Sequence, residues 1–253
     1  MARILAIASQ KGGVGKTTAS INLAAIWAEQ ARVLLIDLDP QGNATAGLGV
    51  TDYNYTAADI LAGDCKPQEA IIKTGYGDLY IIPADINLAA MEAGALAPNK
   101  LAETMKKEAG NYDLIVIDCP PSLGKLTLNA LTLAERVLVP LKPGSFAIQG
   151  LNQLAGVVES LRLRRVNTKV RILGFFYNEG QTRTQLFKTL DTAIRDSYGA
   201  LLLDTAIPLN IKLNEAQLVG EPVNIYDRSS KGAEAYRELA GEVLEKWQTV
   251  VRN

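Results

Sequence analysis

The sequence predicts an α/β protein: a doubly wound, mostly parallel sheet with helices on both faces. Three observations carry this. Short runs of Val, Ile and Leu alternate with helical patterns from end to end. Those runs are continuously apolar, as parallel strands covered on both sides are. The polar residues after three of them are dense in glycine, carboxylate and hydroxyl groups, at the strand ends where open sheets bind ligands. No linker, internal repeat or low-complexity tract interrupts the rhythm, so residues 1–253 read as one domain.

The elements follow in order. RILAIAS (3–9) is the first strand, and KGGVGKTT turns it into a helix over 16–30. RVLLIDL (32–38) is the second and runs into DLDPQGNAT. LYIIPA (79–84) is the third, followed by helical patterns at 86–95 and 98–109. DLIVIDC (113–119) leads through DCPPSLG into a helix at 124–134. RVLVPL (136–141) and VRILGFF (170–176) are the last strands, with helices at 146–163, 182–198 and 229–250.

Composition narrows the chemistry. Of 253 residues, 48% are hydrophobic and 21% charged, ordinary values for a globular chain. Histidine is absent, which removes imidazole bases, Ser-His-Asp triads and His-ligated metals. Cys65 and Cys119 are far apart and form neither a CxxC pair nor a disulfide framework. The N-terminal apolar run is too short for a signal segment, and no stretch approaches a membrane span, so the cytoplasm is expected. Net charge is −1, but residues 1–159 carry −4 and residues 160–253 carry +3. The densest basic run, Arg162 to Arg171, holds five basic residues and no acidic one.

KGGVGKTT, following a strand and opening a helix, has the context that a phosphate-binding loop requires. Its glycines let backbone N–H groups turn toward phosphate oxygens, aided by the helix N-terminus. Residues Lys11, Gly12, Gly13, Val14, Gly15, Lys16, Thr17 and Thr18 are therefore read as nucleotide-binding. Lys16 reaches the terminal phosphates and Thr17 ligates Mg²⁺. Gln10 replaces the usual first glycine and Lys11 adds a second lysine, the deviant Walker A form. Lys11 and Lys16 cannot easily serve the same phosphates from one side. A charge-assisted contact to a partner subunit's nucleotide suits Lys11.

Aspartates complete this chemistry. Asp118 ends its strand after four apolar residues, a Walker B arrangement, and stands near Mg²⁺ through water. Asp37 and Asp39 end the second strand, and all three are expected to face the loop. With no histidine available, Asp39 is the candidate that orients the attacking water and also approaches the metal.

At this point KGGVGKTT, LLIDLDPQGNAT, YDLIVIDCPPSLGKLTLNAL, IPLNIKLNEA and IYDRSSKGAEAYRELAGEVL together resemble the ParA/Soj ATPases, of the small kind without an N-terminal DNA-reading domain. The resemblance implies an ATP- and Mg²⁺-dependent sandwich homodimer with Lys11 crossing to the other subunit. It puts Pro208 and Asn210, with Asn178, against adenine. It implies sequence-independent binding of nucleoid DNA, a ParB-like partner that stimulates slow hydrolysis, and segregation of plasmid, chromosome or protein cargo. The basic candidates for DNA are Arg162, Arg164, Arg165, Lys212, Arg228 and Lys231. Three positions depart from the family pattern: Leu209 in place of a frequent Arg, Val219 near a basic position, and Gly144 near an acidic one.

The alternative is a MinD-like membrane ATPase, which needs a cationic amphipathic tail. Here the last helix balances Lys231, Arg237, Lys246 and Arg252 against Glu234, Glu238, Glu242 and Glu245, so no membrane partner is expected. Iron–sulfur relatives need paired cluster cysteines that are missing. A ligase-like or reductase-like enzyme would need a substrate-binding insertion that the sequence does not show.

Overall fold

A computed structural model describes residues 2–142, 147–178 and 185–251. Gly144 and the predicted helix starts at 146 and 182–184 lie outside the described residues.

The strands are β1 (Arg3–Ile7), β2 (Val33–Asp37), β3 (Ile72–Lys73), β4 (Leu79–Ile82), β5 (Leu114–Asp118), β6 (Arg136–Leu141) and β7 (Arg171–Tyr177). They form one sheet in the order β3-β4-β2-β5-β1-β6-β7. Every pairing is parallel except that of the two-residue edge strand β3 with β4. β3 was not expected, because two residues are too few to show a period. The third strand stops at Ile82, short of its predicted end, because Pro83 has no N–H to offer a ladder.

Twelve α-helices are described: α1 (Lys16–Trp27), α2 (Asn43–Gly47), α3 (Ala57–Ala62), α4 (Pro67–Ala70), α5 (Leu88–Ala93), α6 (Lys100–Met105), α7 (Lys125–Leu133), α8 (Ala147–Leu163), α9 (Gln185–Tyr198), α10 (Ile211–Val219), α11 (Val223–Tyr226) and α12 (Lys231–Val251). The predicted helix at 98–109 is α6 followed by a separate 3₁₀ turn at Glu108–Asn111. Short α2, α3, α4, α10 and α11 were not expected.

Two apolar cores explain the continuous strand runs. Ile4, Ala6 and Ala8 of the first strand region face one core, with Leu126 and Ala130 of α7 and Leu151, Leu154 and Val158 of α8. Leu5 and Ile7 face the other, with Leu23 of α1, Leu213 of α10 and Tyr236, Leu239 and Trp247 of α12. Successive side chains alternate between faces, and both faces are buried. β1 and β5 lie side by side, so the loop after β1 and the aspartate ending β5 meet at one edge. That juxtaposition builds the site.

Candidate functional site

The loop between β1 and α1 owes its shape to glycine. Gly13 and Gly15 have φ of +67° and +89°, the left-handed region that side chains avoid. A Cβ on Gly15 would also stand 2.1 Å from Asn178 Nδ2, so no other residue fits there. Gly15 precedes α1 without a side-chain cap. The first N–H groups of α1 are thereby left for an anion.

A cavity of about 360 Å³ opens over this loop. Gly12, Gly13, Gly15, Lys16, Thr17, Thr18 and Asp39 line one end, and Asn178, Pro208 and Asn210 line it as well. These are the residues singled out from sequence, brought together from four segments. Lys16 is 6% exposed, and its Nζ donates to the Lys11 carbonyl at 3.4 Å. Burial lowers its pKa, opposed chiefly by Asp118 and by Asp39. A buried ammonium that lines a cavity and has no carboxylate ion pair among the described residues is a site for phosphate charge.

Asp118 is fully buried. Its Oδ2 accepts from Thr17 Oγ1 at 2.8 Å and its Oδ1 from Ser20 Oγ at 2.8 Å. Burial first, then the Asp37 charge, pushes its carboxyl up to about 7. Thr17 and Asp118 together offer the hard oxygens that suit Mg²⁺, which keeps most of its other positions for water and phosphate. Asp39 is 7% exposed and turns its Oδ1 to the Gln41 N–H at 3.0 Å, leaving its second oxygen to the cavity.

One expectation needs correction and two need refinement. Asp37 does not face the cavity. Its Oδ1 accepts from Asp39 N at 3.1 Å and its Oδ2 from Thr45 N and Oγ1 at 2.9 and 2.8 Å, so it shapes the loop after β2. The side chain of Val14 is buried outside the cavity and its carbonyl accepts from Asn178 Nδ2 at 2.9 Å, so its part in the loop is that of its backbone N–H. Asn210 spends its Oδ1 on the Lys212 N–H at 2.8 Å as the N-cap of α10. Only its amide group remains for a ligand.

Lys11 is exposed and does not line the cavity. It borders a separate open hollow with Gln10, Gln149, Gly150 and Gln153. Sequence reasoning missed Ser20, Gln41, Asn43, Pro121, Leu209, Leu213, Asn214 and Gln217. Ser20 stands three residues after Thr17 on α1, the spacing that puts both hydroxyls on one helix face. Leu213, Asn214 and Gln217 share a face of α10 in the same way, legible only once that helix is assigned.

Comparison with known proteins agrees with this geometry. A family model described as an AAA domain matches residues 2–172. The sporulation initiation inhibitor protein Soj of Bacillus subtilis is 42% identical over 251 residues, covering 96% of this chain and 98% of its own length. The chromosome partitioning protein ParA of Caulobacter vibrioides is 40% identical over 253 residues, covering 96% and 94%. The chain belongs to the ParA/Soj family. Among solved structures, the cobyrinic acid a,c-diamide synthase of Mycobacterium smegmatis with bound ATP analog and magnesium superposes with a TM-score of 0.85. It is 36% identical and covers 98% of this chain and 96% of that one.

In this ParA/Soj chain the six basic candidates for DNA fall into two groups. Arg162, Arg164 and Arg165 lie at the end of α8, on the sheet face that packs the first core. Lys212, Arg228 and Lys231 lie around α10 and the start of α12, on the other face. Arg162 is paired with Glu159 at 2.7 Å and Lys212 with Glu215 at 2.7 Å. A single patch from the last third of the chain is therefore not what the fold presents.

Proposed function

We propose that residues 1–253 act as one ParA-like ATPase domain. In this reading the chain binds ATP with Mg²⁺, pairs with a second copy across the nucleotides, and in that state binds nucleoid DNA without sequence preference. A ParB-like partner then stimulates an otherwise slow hydrolysis and releases the DNA. The cycle positions plasmid, chromosome or protein cargo in the cytoplasm. The single observation that carries the reading is the contrast between two lysines of one loop: Lys16 buried inside the cavity, and Lys11 exposed outside it. A second cation of a nucleotide loop that cannot serve its own cavity is placed to serve another's.

The residues divide the work. The loop N–H groups and Lys16 hold phosphate charge at the α1 N-terminus. Thr17 would hold Mg²⁺ directly and Asp118 and Asp39 through water, and the ion supplies charge neutralisation at the phosphates. Asp39, with one oxygen fixed by Gln41, orients water with the other. Pro208, Asn178 and the Asn210 amide, which line the same cavity, would take the base.

The apolar face of α12 is packed inside the molecule, with Tyr236, Leu239, Val243 and Trp247 all buried. It is not displayed as a membrane-seeking tail is. No helix among the described residues is long and apolar enough to cross a membrane.

The DNA arm is tested by duplex affinity at several salt concentrations, with ATP and with ADP. Affinity is expected only with ATP and should fall steeply with salt, because each neutralised phosphate adds to the salt slope. Charge reversal at Arg164 with Arg165, and separately at Arg228 with Lys231, should weaken DNA binding without loss of ATPase. Equal affinity in both nucleotide states would overturn the switch.

A further inference from the structure

A larger cavity lies away from the nucleotide site. It holds about 750 Å³, against about 360 Å³ over the glycine loop, a size that suits a small organic ligand. It opens at the other end of the strands. Arg3 and Leu114, paired as the first residues of β1 and β5, line it, whereas Asp118 closes the last pair of the same ladder. Four steps of strand, about 13 Å, separate the two ends.

Glycine leaves this cavity open. Gly241 stands inside α12, where glycine weakens a helix. The other glycine of that helix, Gly232, is held by packing, since its Cβ would meet Leu213 Cγ at 3.0 Å. A Cβ on Gly241 would meet nothing within 4 Å, and the same holds for Gly110, which also lines the cavity. Packing does not demand glycine at either position, and both leave room for a ligand.

Trp27, Tyr112, Ile26 and Leu244 supply aromatic and aliphatic wall, and four charged groups join them. Glu29 and Asp113 are exposed, and each already accepts a hydrogen bond, from Asn224 Nδ2 at 2.9 Å and from Arg32 N at 2.8 Å. Arg3 and Arg237 are half-buried, and neither forms an ion pair among the described residues. The Arg3 guanidinium has no hydrogen bond there either. Arg237 gives its Nη1 to the Arg228 carbonyl at 3.0 Å, and its buried Nη2 has no acceptor. Water screens the two exposed carboxylates more than the two half-buried guanidiniums, so the unanswered charge of the cavity is positive.

The geometry points to a second ligand site here, for a flat apolar molecule that carries one anionic group. Its rings lie against Trp27 and Tyr112. Its anion takes the free donors of Arg3 and meets the charge of Arg237.

The test is fluorescence titration of the wild-type chain with anilinonaphthalene sulfonate and with phenylnaphthylamine, the same ring system without its sulfonate. The sulfonate should bind one to one and about tenfold tighter than the neutral dye, through its charge-assisted contact. Arg3→Gln and Arg237→Gln should each bring the two affinities closer. Gly241→Phe, which fills the open space, should weaken both dyes. Inorganic triphosphate, which the glycine loop would take, should leave the sulfonate in place. Equal affinity for the two dyes in the wild type, or an unchanged preference in both arginine variants, overturns the inference. So does dye binding untouched by Gly241→Phe, or displacement of the sulfonate by triphosphate. Thermal melts report that each variant is folded, and Arg3→Gln decides the charge contact where Arg237→Gln does not fold.

Discussion

Asp118 and Asp37 are buried carboxyls that neighbour one another, pushed up to about 7 and about 6, in both cases chiefly by loss of water. Their native pKa values lie above the ordinary 3.8. The folded chain therefore holds these protons at pH values where the unfolded chain has released them. Stability from this pair is present at low pH and is lost as pH rises from about 4 through about 7. The metal-free, nucleotide-free protein should thus melt at a lower temperature at pH 8 than at pH 5. The slope should flatten in Asp37→Asn and Asp118→Asn; the same slope in both variants would show that the pair is not its source. If Asp39 orients water and does not grip the phosphates, as proposed, Asp39→Ala should keep ATP affinity and nearly abolish single-turnover hydrolysis. Gly15→Ala should fail at folding or at binding, since left-handed backbone costs about 1–2 kcal/mol in a side-chain-bearing residue and the new Cβ would collide with Asn178. Thermal melts with and without ATP separate the two effects.

Among the elements, α1 and α12 are locked together. Trp27 Nε1 donates to the Ala240 carbonyl at 3.2 Å, and Trp247 is 2% exposed in the same core. Trp247→Ala should cost about 3–5 kcal/mol in denaturant unfolding, the usual range for emptying a buried aromatic site. A loss below about 1 kcal/mol would mean that α12 is a loose appendage. The long apolar strands and the long helices were legible in the sequence because burial on both sheet faces leaves a run of Val, Ile and Leu. The loop lysines, Thr17, Asp39 and Asp118 were legible because their chemistry depends on spacing along one chain. Gln217, Asn214 and Ser20 were not, because each becomes a site residue through helix geometry. α10 spans only Ile211–Val219, and its cap at Asn210 was read as a ligand contact alone. The role of Asp37 was misread for a related reason. Position beside a motif does not tell which way a side chain turns, and Asp37 turns away from the cavity.

At the scale of the whole molecule, the carboxyl ends of the central strands gather the glycine loop and the three aspartates beside the segment around Asn210, while the six basic candidates divide between the two sheet faces. A monomer therefore offers DNA only a few cations on any one side, against an acidic total. On the proposed reading, pairing two subunits across their nucleotides would double whichever group lies on the shared face and so make a weak surface an ATP-dependent one. The account depends on Lys11 acting across that pairing and Lys16 within it. The most direct measurement is the mass of the wild type, Lys11→Ala and Lys16→Ala by light scattering with ATP, alongside their ATP affinities. The account predicts an ATP-dependent dimer for the wild type, a monomer that still binds ATP for Lys11→Ala, and lost ATP affinity for Lys16→Ala. An ATP-bound dimer of Lys11→Ala, or equal loss of nucleotide in both variants, would contradict it.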